Sequence, residues 1–209
     1  MVYSDRFEAG DVLAQMLQRF KNDPDTVVVA LPRGGVPVGY VIAKQLGLPL
    51  DIFFVKKIPS PYNPEAAIGA VSENGLEYLN ERAVMMLGVS RPWIDERIAE
   101  IMEKIRQKRA LYNKPRIPVA GKRVILVDDG VATGASMYLA AKALKEEGAK
   151  EVIIAVPVAA PDSVALLKDV ADEVIVAQVP RDFMAVGQYY RDFHQLEDKE
   201  VMELLENAP

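Results

Sequence analysis

The chain has 209 residues and a formal net charge of −5 at pH 7, with 50% hydrophobic and 26% charged residues. This composition is typical of a globular domain with a hydrophobic core, and the length suits one sizeable domain. The chain has no cysteine and a single histidine, His194, which excludes disulfides and thiolate metal sites and disfavours a histidine-based metal centre. The acidic net charge disfavours nucleic acid as a partner.

The N-terminal segment MVYSDRFEAGD carries charges where a secretory signal would be apolar. No apolar run reaches the roughly 18 residues that a membrane span needs. We therefore expect a cytoplasmic protein without a membrane partner.

Five apolar segments rich in β-branched residues are predicted to form strands. They cover residues 26–31, 50–55, 123–129, 151–158 and 173–179, and helix-like segments follow the first, third and fourth of them. The segments are continuously apolar rather than alternating, which is typical of strands that are covered on both faces. Strands that alternate with helices predict a parallel sheet, so the expected fold class is α/β with a doubly wound sheet.

The segment between the second and third strands breaks this alternation. Residues 56–80 contain three prolines in IPSPYNP and a turn signal at Asn74-Gly75. Two short strands around that turn predict a hairpin inserted into the sheet-and-helix core. A long helix is predicted to begin after Ser90, with isoleucines along one face.

We expect one domain over residues 1–209. It would consist of a core over about 26–180, a flap insertion over about 56–80 and a C-terminal hood or cap over about 181–209. The cap is dense in aromatic residues and is predicted to form short helices.

The segment VILVDDGVATGAS, from Val124 to Ser136, carries the strongest chemical signal. Ligands of open α/β sheets bind beyond the carboxyl ends of the strands, where Asp128 and Asp129 lie. The small-residue loop that follows leads into a helix N-terminus, whose free N–H groups and positive dipole end bind anions. Carboxylates beside an anion-binding loop suit a ligand with both a diol and a phosphate, so the segment predicts a ribose phosphate.

Other motifs share parts of this pattern. A nucleotide-hydrolase phosphate loop needs a lysine where this chain has Ala135, and no GxGxxG follows the first strand. A receiver domain begins with a similar acidic strand end, but it needs a phospho-accepting aspartate at the end of a later strand, which is missing here. The alternative is that this segment has no function and is a strand end with two solvated aspartates, followed by a helix cap.

The thirteen-residue segment as a whole resembles the phosphoribosyl-diphosphate (PRPP) signature of type I phosphoribosyltransferases. The resemblance implies that Asp128 and Asp129 hold the ribose hydroxyls and contribute to binding Mg²⁺, the expected cofactor. It also implies a 5′-phosphate site made by Gly130, Val131, Ala132, Thr133, Gly134, Ala135 and Ser136. The whole chain resembles the stand-alone predicted phosphoribosyltransferases of bacteria.

A second match, ALPRGGVP, follows the first core strand, where this family has its pyrophosphate loop. The resemblance implies that Arg33 binds pyrophosphate through its planar guanidinium, and that Gly34 and Gly35 allow close approach of the backbone. The mobile flap of the family would correspond to the insertion, from which Lys56 and Lys57 would reach the diphosphate. The alternative for the PRGG segment is an ordinary turn before a helix. The alternative for Lys56 and Lys57 is that they are two surface lysines.

The implied reaction transfers the 5-phosphoribosyl group to a nitrogenous base or a related small acceptor. Oxopurine enzymes of the family have an aspartate where this chain has Ala132, so the motif is similar to the adenine-type version, in which a flap carboxylate serves. Glu65 is the candidate for that catalytic carboxylate, and Phe183 and Tyr189 are candidates to stack on the acceptor. His194 is expected to be structural.

A PRPP-sensing regulator that keeps the sugar-phosphate site without transferase activity is the alternative function. The basic half of the long helix, with Arg106, Lys108 and Arg109, would then offer a local patch for a partner. A homo-oligomer is compatible with the sequence, which does not define an oligomeric state.

Overall fold

The computed structural model describes residues 1–209, with eight strands and seven α-helices. The strands are β1 (Thr26–Ala30), β2 (Leu50–Ile52), β3 (Val55–Pro59), β4 (Ala67–Ser72), β5 (Glu77–Leu79), β6 (Arg123–Val127), β7 (Glu151–Val158) and β8 (Glu173–Gln178). The helices are α1 (Arg6–Met16), α2 (Gly35–Leu46), α3 (Glu81–Met86), α4 (Arg91–Leu111), α5 (Ala135–Glu146), α6 (Pro161–Lys168) and α7 (Asp198–Glu206). None of these helices combines the length and the apolar character that crossing a bilayer would require.

The predicted α/β fold with a parallel sheet is confirmed. The sheet has the order β2-β1-β6-β7-β8, and all of its pairings are parallel. Successive strand residues enter hydrophobic clusters on opposite faces: Val28 and Ile125 pack with α1, α2 and α7, whereas Val29 and Leu126 pack with α5 and α6. Helices therefore cover both faces of the sheet, which explains why its strands are continuously apolar.

The insertion forms a second sheet, antiparallel, with the order β3-β4-β5. Strands β4 and β5 are the predicted hairpin around Asn74-Gly75. A strand before this hairpin was not predicted, and Lys56 and Lys57 both lie within it, in β3. Successive residues of a strand point to opposite faces, so the two lysines face different parts of the molecule.

Helix α4 connects the two sheets. It begins as predicted after Ser90, whose hydroxyl accepts a hydrogen bond from the Trp93 N–H. Ile94 packs with the apolar residues of β3 and β4, and Ile105, nearly three turns later, packs in the core of the parallel sheet. The isoleucine face of the helix is thus shared between the two sheets.

A network of ion pairs fixes the antiparallel sheet relative to the parallel one. Arg109 of α4 lies 3.2 Å from Asp51 of β2 and 2.9 Å from Glu73, which follows β4. The carboxylate side chains are only 1% and 6% exposed, so these pairs are shielded from bulk water. The network therefore sets the position of β3, with its two lysines, relative to the parallel sheet.

The two ends of the chain pack against each other. Tyr3 and Tyr190 form a bridge between the segment before α1 and the C-terminal cap, and their rings lie 5.5 Å apart. Besides a single 3-10 turn, the cap contains α7, which packs against α2. Helix α1 was not among the predicted elements, although Asp5 caps its first turn.

Candidate active site

The carboxyl ends of β1 and β6, which are neighbours in the sheet, bring the two predicted loops into contact. A Cβ atom on Gly34 would lie 2.3 Å from Oδ2 of Asp129, and one on Gly35 would lie 2.8 Å from the carbonyl oxygen of Val127. Gly34 has an ordinary φ of −57°. Glycine is therefore needed at these positions for close approach and not for an unusual backbone angle.

We expect Gly34→Ala to lower the free energy of unfolding by about 1–3 kcal/mol, because its methyl group would displace the Asp129 carboxylate from a packed position. Urea denaturation measures this change. In an Asp129→Ala background the same substitution should cost less, because the atoms that the methyl group strikes are gone. An equal cost in both backgrounds would show that the contact with Asp129 is not the cause.

Asp129 is held by residues from both ends of the chain. Its Oδ2 accepts a hydrogen bond of 2.8 Å from Nε of Arg6, and the two side chains are only 13% and 8% exposed. Arg6 also donates through Nη1 to the carbonyl of His194 and lies over the ring of Phe193, 4.1 Å from its centroid. The Tyr190 hydroxyl donates to the backbone carbonyl of Asp129 at 2.6 Å. These contacts fix the carboxylate in one place.

Arg6 is the site residue that sequence reasoning missed. It lies on the buried face of α1 with Ala9 and Leu13, at helical spacing. A charged side chain on the apolar face of a helix is rarely buried without a partner, and this was the available signal. The partner itself lies 123 residues later in the chain, so no local pattern could identify it.

Asp128 has a different environment from its neighbour. Its Oδ1 accepts a hydrogen bond of 2.8 Å from the Asp129 N–H, whereas its Oδ2 accepts none from the protein. Burial, followed by the negative charge of Asp129, raises the pKa of Asp128 well above its usual range. Asp128 therefore has one oxygen available to a ligand, and a cation or hydroxyl at that oxygen would favour its ionised form.

Two cavities open at this edge of the sheet, and Asp128 lines both of them. The smaller, of about 150 Å³, is otherwise lined by Lys57, Met137 and the residues of the predicted 5′-phosphate loop except Ala135. The larger has a volume of about 430 Å³. Its other lining residues are Arg6, Pro32, Arg33, Gly34, Asp129, Phe193, His194, Gln195 and Leu196. A ligand that extends from one cavity into the other would therefore contact Asp128.

The β6–α5 loop, residues 130–134, is held in place by β7 and α6. Val131 donates its N–H to Val158 at 2.9 Å, and the Ser163 hydroxyl donates to the carbonyl of Ala132. Gly134 has a φ of 83°, in the left-handed region that favours glycine, and α5 begins at the next residue. The first N–H groups of a helix have no partner within it, and Ser136 and Met137 of the first turn of α5 line the smaller cavity.

Of the predicted pyrophosphate residues, Arg33 and Gly34 line the larger cavity and Lys57 lines the smaller one, whereas Gly35 and Lys56 line neither. Arg33 follows a cis peptide bond with Pro32. Burial, then the charges of Lys108 and Arg33, lower the pKa of Lys56, which places its amine near these cations. Lys57 lines the smaller cavity instead. The two lysines thus face different parts of the molecule, as their adjacent positions in a strand require.

Three other predicted residues are not brought to either cavity. Glu65 is exposed in the turn between β3 and β4. Phe183 and Tyr189 are half-buried and stack on each other, with ring centroids 5.7 Å apart and planes 11° apart. The aromatic side chain that lines the larger cavity is Phe193 of the same C-terminal cap. The roles of the first three residues stay predictions.

His194 has both ring nitrogens engaged by carboxylates. They lie 2.9 Å from Asp192 and 2.8 Å from Glu200. The hydrogen bonds with Glu200 and Asp192 raise the pKa of the histidine. The ring therefore links the segment before α7 to α7 itself, within the C-terminal cap.

Comparisons with known proteins identify the family. The model of the phosphoribosyl transferase domain matches residues 6–194. Two Mycobacterium tuberculosis proteins, from strains CDC 1551 and H37Rv, are each 40% identical over 209 residues, and their names describe them provisionally as phosphoribosyl transferases. The matches cover 99% of this chain and 47% of theirs, so the chain spans about half the length of these relatives.

Solved structures agree with this comparison. The protein TT1426 from Thermus thermophilus is 40% identical, with a TM-score of 0.82 and coverage of 100% of both chains. A purine phosphoribosyltransferase from Pyrococcus horikoshii is 19% identical, with a TM-score of 0.50 and coverage of 92% of both chains, and this likeness shows the fold alone. The chain therefore belongs to the phosphoribosyl transferase domain family.

Proposed function

We propose that the protein is a phosphoribosyltransferase that uses PRPP to transfer a 5-phosphoribosyl group to a nitrogenous base or a related small acceptor, with release of pyrophosphate. The observation that carries this proposal is the position of Asp128 at the junction of the two cavities. With its 5′-phosphate in the smaller cavity and its diphosphate in the larger one, PRPP would have its ribose hydroxyls at Asp128.

The smaller cavity suits a phosphate. The N-terminus of α5 offers backbone N–H groups and the positive end of the helix dipole. Thr133 and Ser136 add hydroxyl groups, and Lys57 adds a positive charge from the other side. Because β7 and α6 already hold the loop, little order would have to be gained on binding.

In the proposed reaction, a nitrogen lone pair of the acceptor forms a bond to C1 of the ribose while the bond from C1 to the diphosphate oxygen breaks. The electron pair of that bond leaves with pyrophosphate, and the acceptor nitrogen gives up its proton to water. Positive charge builds up on the ribose ring and negative charge on the leaving group. In this proposal Arg33 and Lys56 stabilise the leaving group through their positive charges, and Asp128 orients the ribose.

The two aspartates fit Mg²⁺ only as minor contributors. The protein has no group of three or more acidic, histidine or cysteine side chains that could hold a metal ion by themselves. Mg²⁺ usually keeps several waters and binds one or two carboxylates together with phosphate oxygens of the substrate, which suits this donor set. Asp129 is already paired with Arg6, so Asp128 would be the main protein ligand. When bound, Mg²⁺ would supply positive charge to the diphosphate.

A PRPP-sensing regulator would use the same cavities. The basic half of α4 gives this alternative little support, because each of its three cations pairs with a carboxylate. The pairs are Arg106–Glu103, Lys108–Asp198 and Arg109–Asp51. The side chain of Arg109 is only 16% exposed, and Glu103 offsets the charge of Arg106 on the surface, so the patch that a nucleic acid or protein partner would contact is weak.

Release of pyrophosphate tests the proposal. We expect the protein, incubated with PRPP, Mg²⁺ and a panel of purine and pyrimidine bases, to release pyrophosphate faster with at least one base than without any base. The Asp128→Asn variant is the matched control and should show no such increase. PRPP binding without release for any acceptor would favour the regulator, and no binding of PRPP would overturn both functions.

A further inference from the structure

A carboxylate from α7 lies next to Arg33, a cation that lines the larger cavity. Oδ2 of Asp198 accepts a hydrogen bond of 2.6 Å from Nζ of Lys108, and its Oδ1 accepts one of 2.7 Å from the Tyr112 hydroxyl. Nη1 of Arg33 lies 3.9 Å from the same Oδ1. Asp198 therefore connects α7, the end of α4 and the loop after β1.

This cluster has more positive than negative charge. Asp198 pairs with Arg33 and Lys108, and Lys56 lies close enough to these two cations for their charges to lower its pKa. Two positive charges are thus left without an anion from the protein. The side chains of Arg33 and Lys108 are 37% and 36% exposed, so an anion from solution can reach them. A group with two or more negative charges would match the cluster.

The guanidinium of Arg33 lies near Asp198 and still has free hydrogen-bond donors. Its contact with Asp198, at 3.9 Å, is too long for a hydrogen bond. An arginine side chain has five N–H donors, and none of those of Arg33 binds another protein group. Lys108, in contrast, is tightly paired with Asp198 at 2.6 Å. The carboxylate of Asp198 therefore forms a hydrogen bond with Lys108 and none with Arg33, whose N–H donors are available to a ligand.

We infer that Lys108 and Asp198 belong to the diphosphate site: Lys108 contacts the leaving diphosphate, and Asp198 pairs with Lys108 until the diphosphate replaces its carboxylate. This inference rests on the proposed function, because it deepens the site where that function places the diphosphate. The diphosphate carries more charge than one carboxylate and has more oxygens to accept hydrogen bonds. It would therefore compete successfully for Lys108 while also binding Arg33.

Binding of inorganic pyrophosphate to the full chain, measured by isothermal titration calorimetry, tests the inference. We expect Lys108→Met to weaken binding by about tenfold or more, because a charged hydrogen bond is lost. Lys108→Arg should retain most of the affinity. Lys104→Met is the matched control, since Lys104 is an exposed lysine one turn earlier on α4 and should have no effect. Binding of ribose 5-phosphate should be the same in all four proteins.

Asp198→Asn is the second variant and tests the role of the carboxylate. It keeps the shape of the side chain but removes the negative charge that competes with the ligand. We expect it to bind pyrophosphate more tightly than the wild type, by about threefold or more. A purely structural Asp198 would instead give unchanged or weaker binding when it is replaced. Circular dichroism of each variant confirms that it is folded, and this second variant keeps the test decisive if Lys108→Met does not fold.

The outcomes separate this inference from the proposed function. Equal pyrophosphate affinity in Lys108→Met and Lys104→Met, unchanged or weaker binding in Asp198→Asn, or no pyrophosphate binding by the wild type would overturn the inference. Turnover of PRPP together with any of these results would leave the transferase standing. If the variants show the expected pyrophosphate affinities but the protein transfers the phosphoribosyl group to no acceptor, the transferase is overturned and the diphosphate site stands.

Discussion

Replacing Asp128 by asparagine should abolish the thermal stabilisation that PRPP and Mg²⁺ give to the wild-type protein. Asp128 is the residue that lines both cavities, and its Oδ2 has no partner in the protein. Loss of one charged hydrogen bond costs about 1.5–3 kcal/mol, which corresponds to about 10- to 150-fold in affinity. Differential scanning fluorimetry with and without the ligands measures the change. Asp25→Asn is the control, because this exposed aspartate precedes β1 at the opposite end of the sheet.

The same substitution should stabilise the protein when ligand and metal are absent. Folding raises the pKa of Asp128 above the value of 3.8 that it has in the unfolded chain, through burial and then through Asp129. The folded wild type therefore binds the proton more tightly and loses stability as the pH rises above about 4, whereas an asparagine has no charge to bury. The stability difference between variant and wild type should grow with pH.

Urea denaturation in the presence of a chelator, between about pH 4 and 7, measures this difference. Arg6 moderates the effect, because its positive charge favours the ionised form of Asp128. A variant that is less stable than the wild type throughout this range would contradict the assigned environment of Asp128. An Asp128→Asn variant that gains stability and still binds PRPP would contradict the role assigned to Asp128 in PRPP binding.

Replacing Arg6 by methionine should destabilise the protein by about 3–5 kcal/mol, because the Asp129 carboxylate would be left buried without its partner. Loss of the contact with the Phe193 ring adds to this cost. Urea denaturation measures the change in the free energy of unfolding. Arg19→Met is the matched control. It removes an exposed ion pair with Glu173 and should cost less than about 1 kcal/mol.

A second substitution separates the charge from the packing. Adding Asp129→Asn to Arg6→Met removes the uncompensated negative charge, so the double variant should recover part of the lost stability. Equal effects of Arg6→Met and Arg19→Met would contradict the buried ion pair. Failure of the double variant to recover any stability would show that Arg6 acts through packing alone.

The parallel sheet could be predicted because its signals are local. β1, β6 and β7 are buried on both faces, and that burial is visible as continuous apolar segments of the chain. Strand β3 was missed because its residues, Val55–Pro59, include two lysines and a proline. Its conformation depends on pairing with β4, in which Lys57 lies opposite Ala70. Pairing of this kind depends on distant residues and leaves no periodicity within the strand itself.

The site was predictable where one segment carries all of its parts. The strand end and the loop around Asp128 are contiguous, so their spacing indicates their chemistry. Contacts between distant segments were not predictable: neither the Arg6–Asp129 pair nor the Lys108–Asp198 pair has a local signal. The single-domain organisation of residues 1–209, the cytoplasmic location and a homo-oligomeric state stay predictions.

A crystal structure of the protein with PRPP and Mg²⁺ tests the central claim most directly. We expect the 5′-phosphate oxygens within hydrogen-bond distance of the free N–H groups at the N-terminus of α5 and of the Thr133 and Ser136 hydroxyls, and a ribose hydroxyl within hydrogen-bond distance of the Asp128 carboxylate. The diphosphate should lie beside Arg33. A phosphate bound elsewhere, or a ribose without contact to Asp128, would contradict the proposed site.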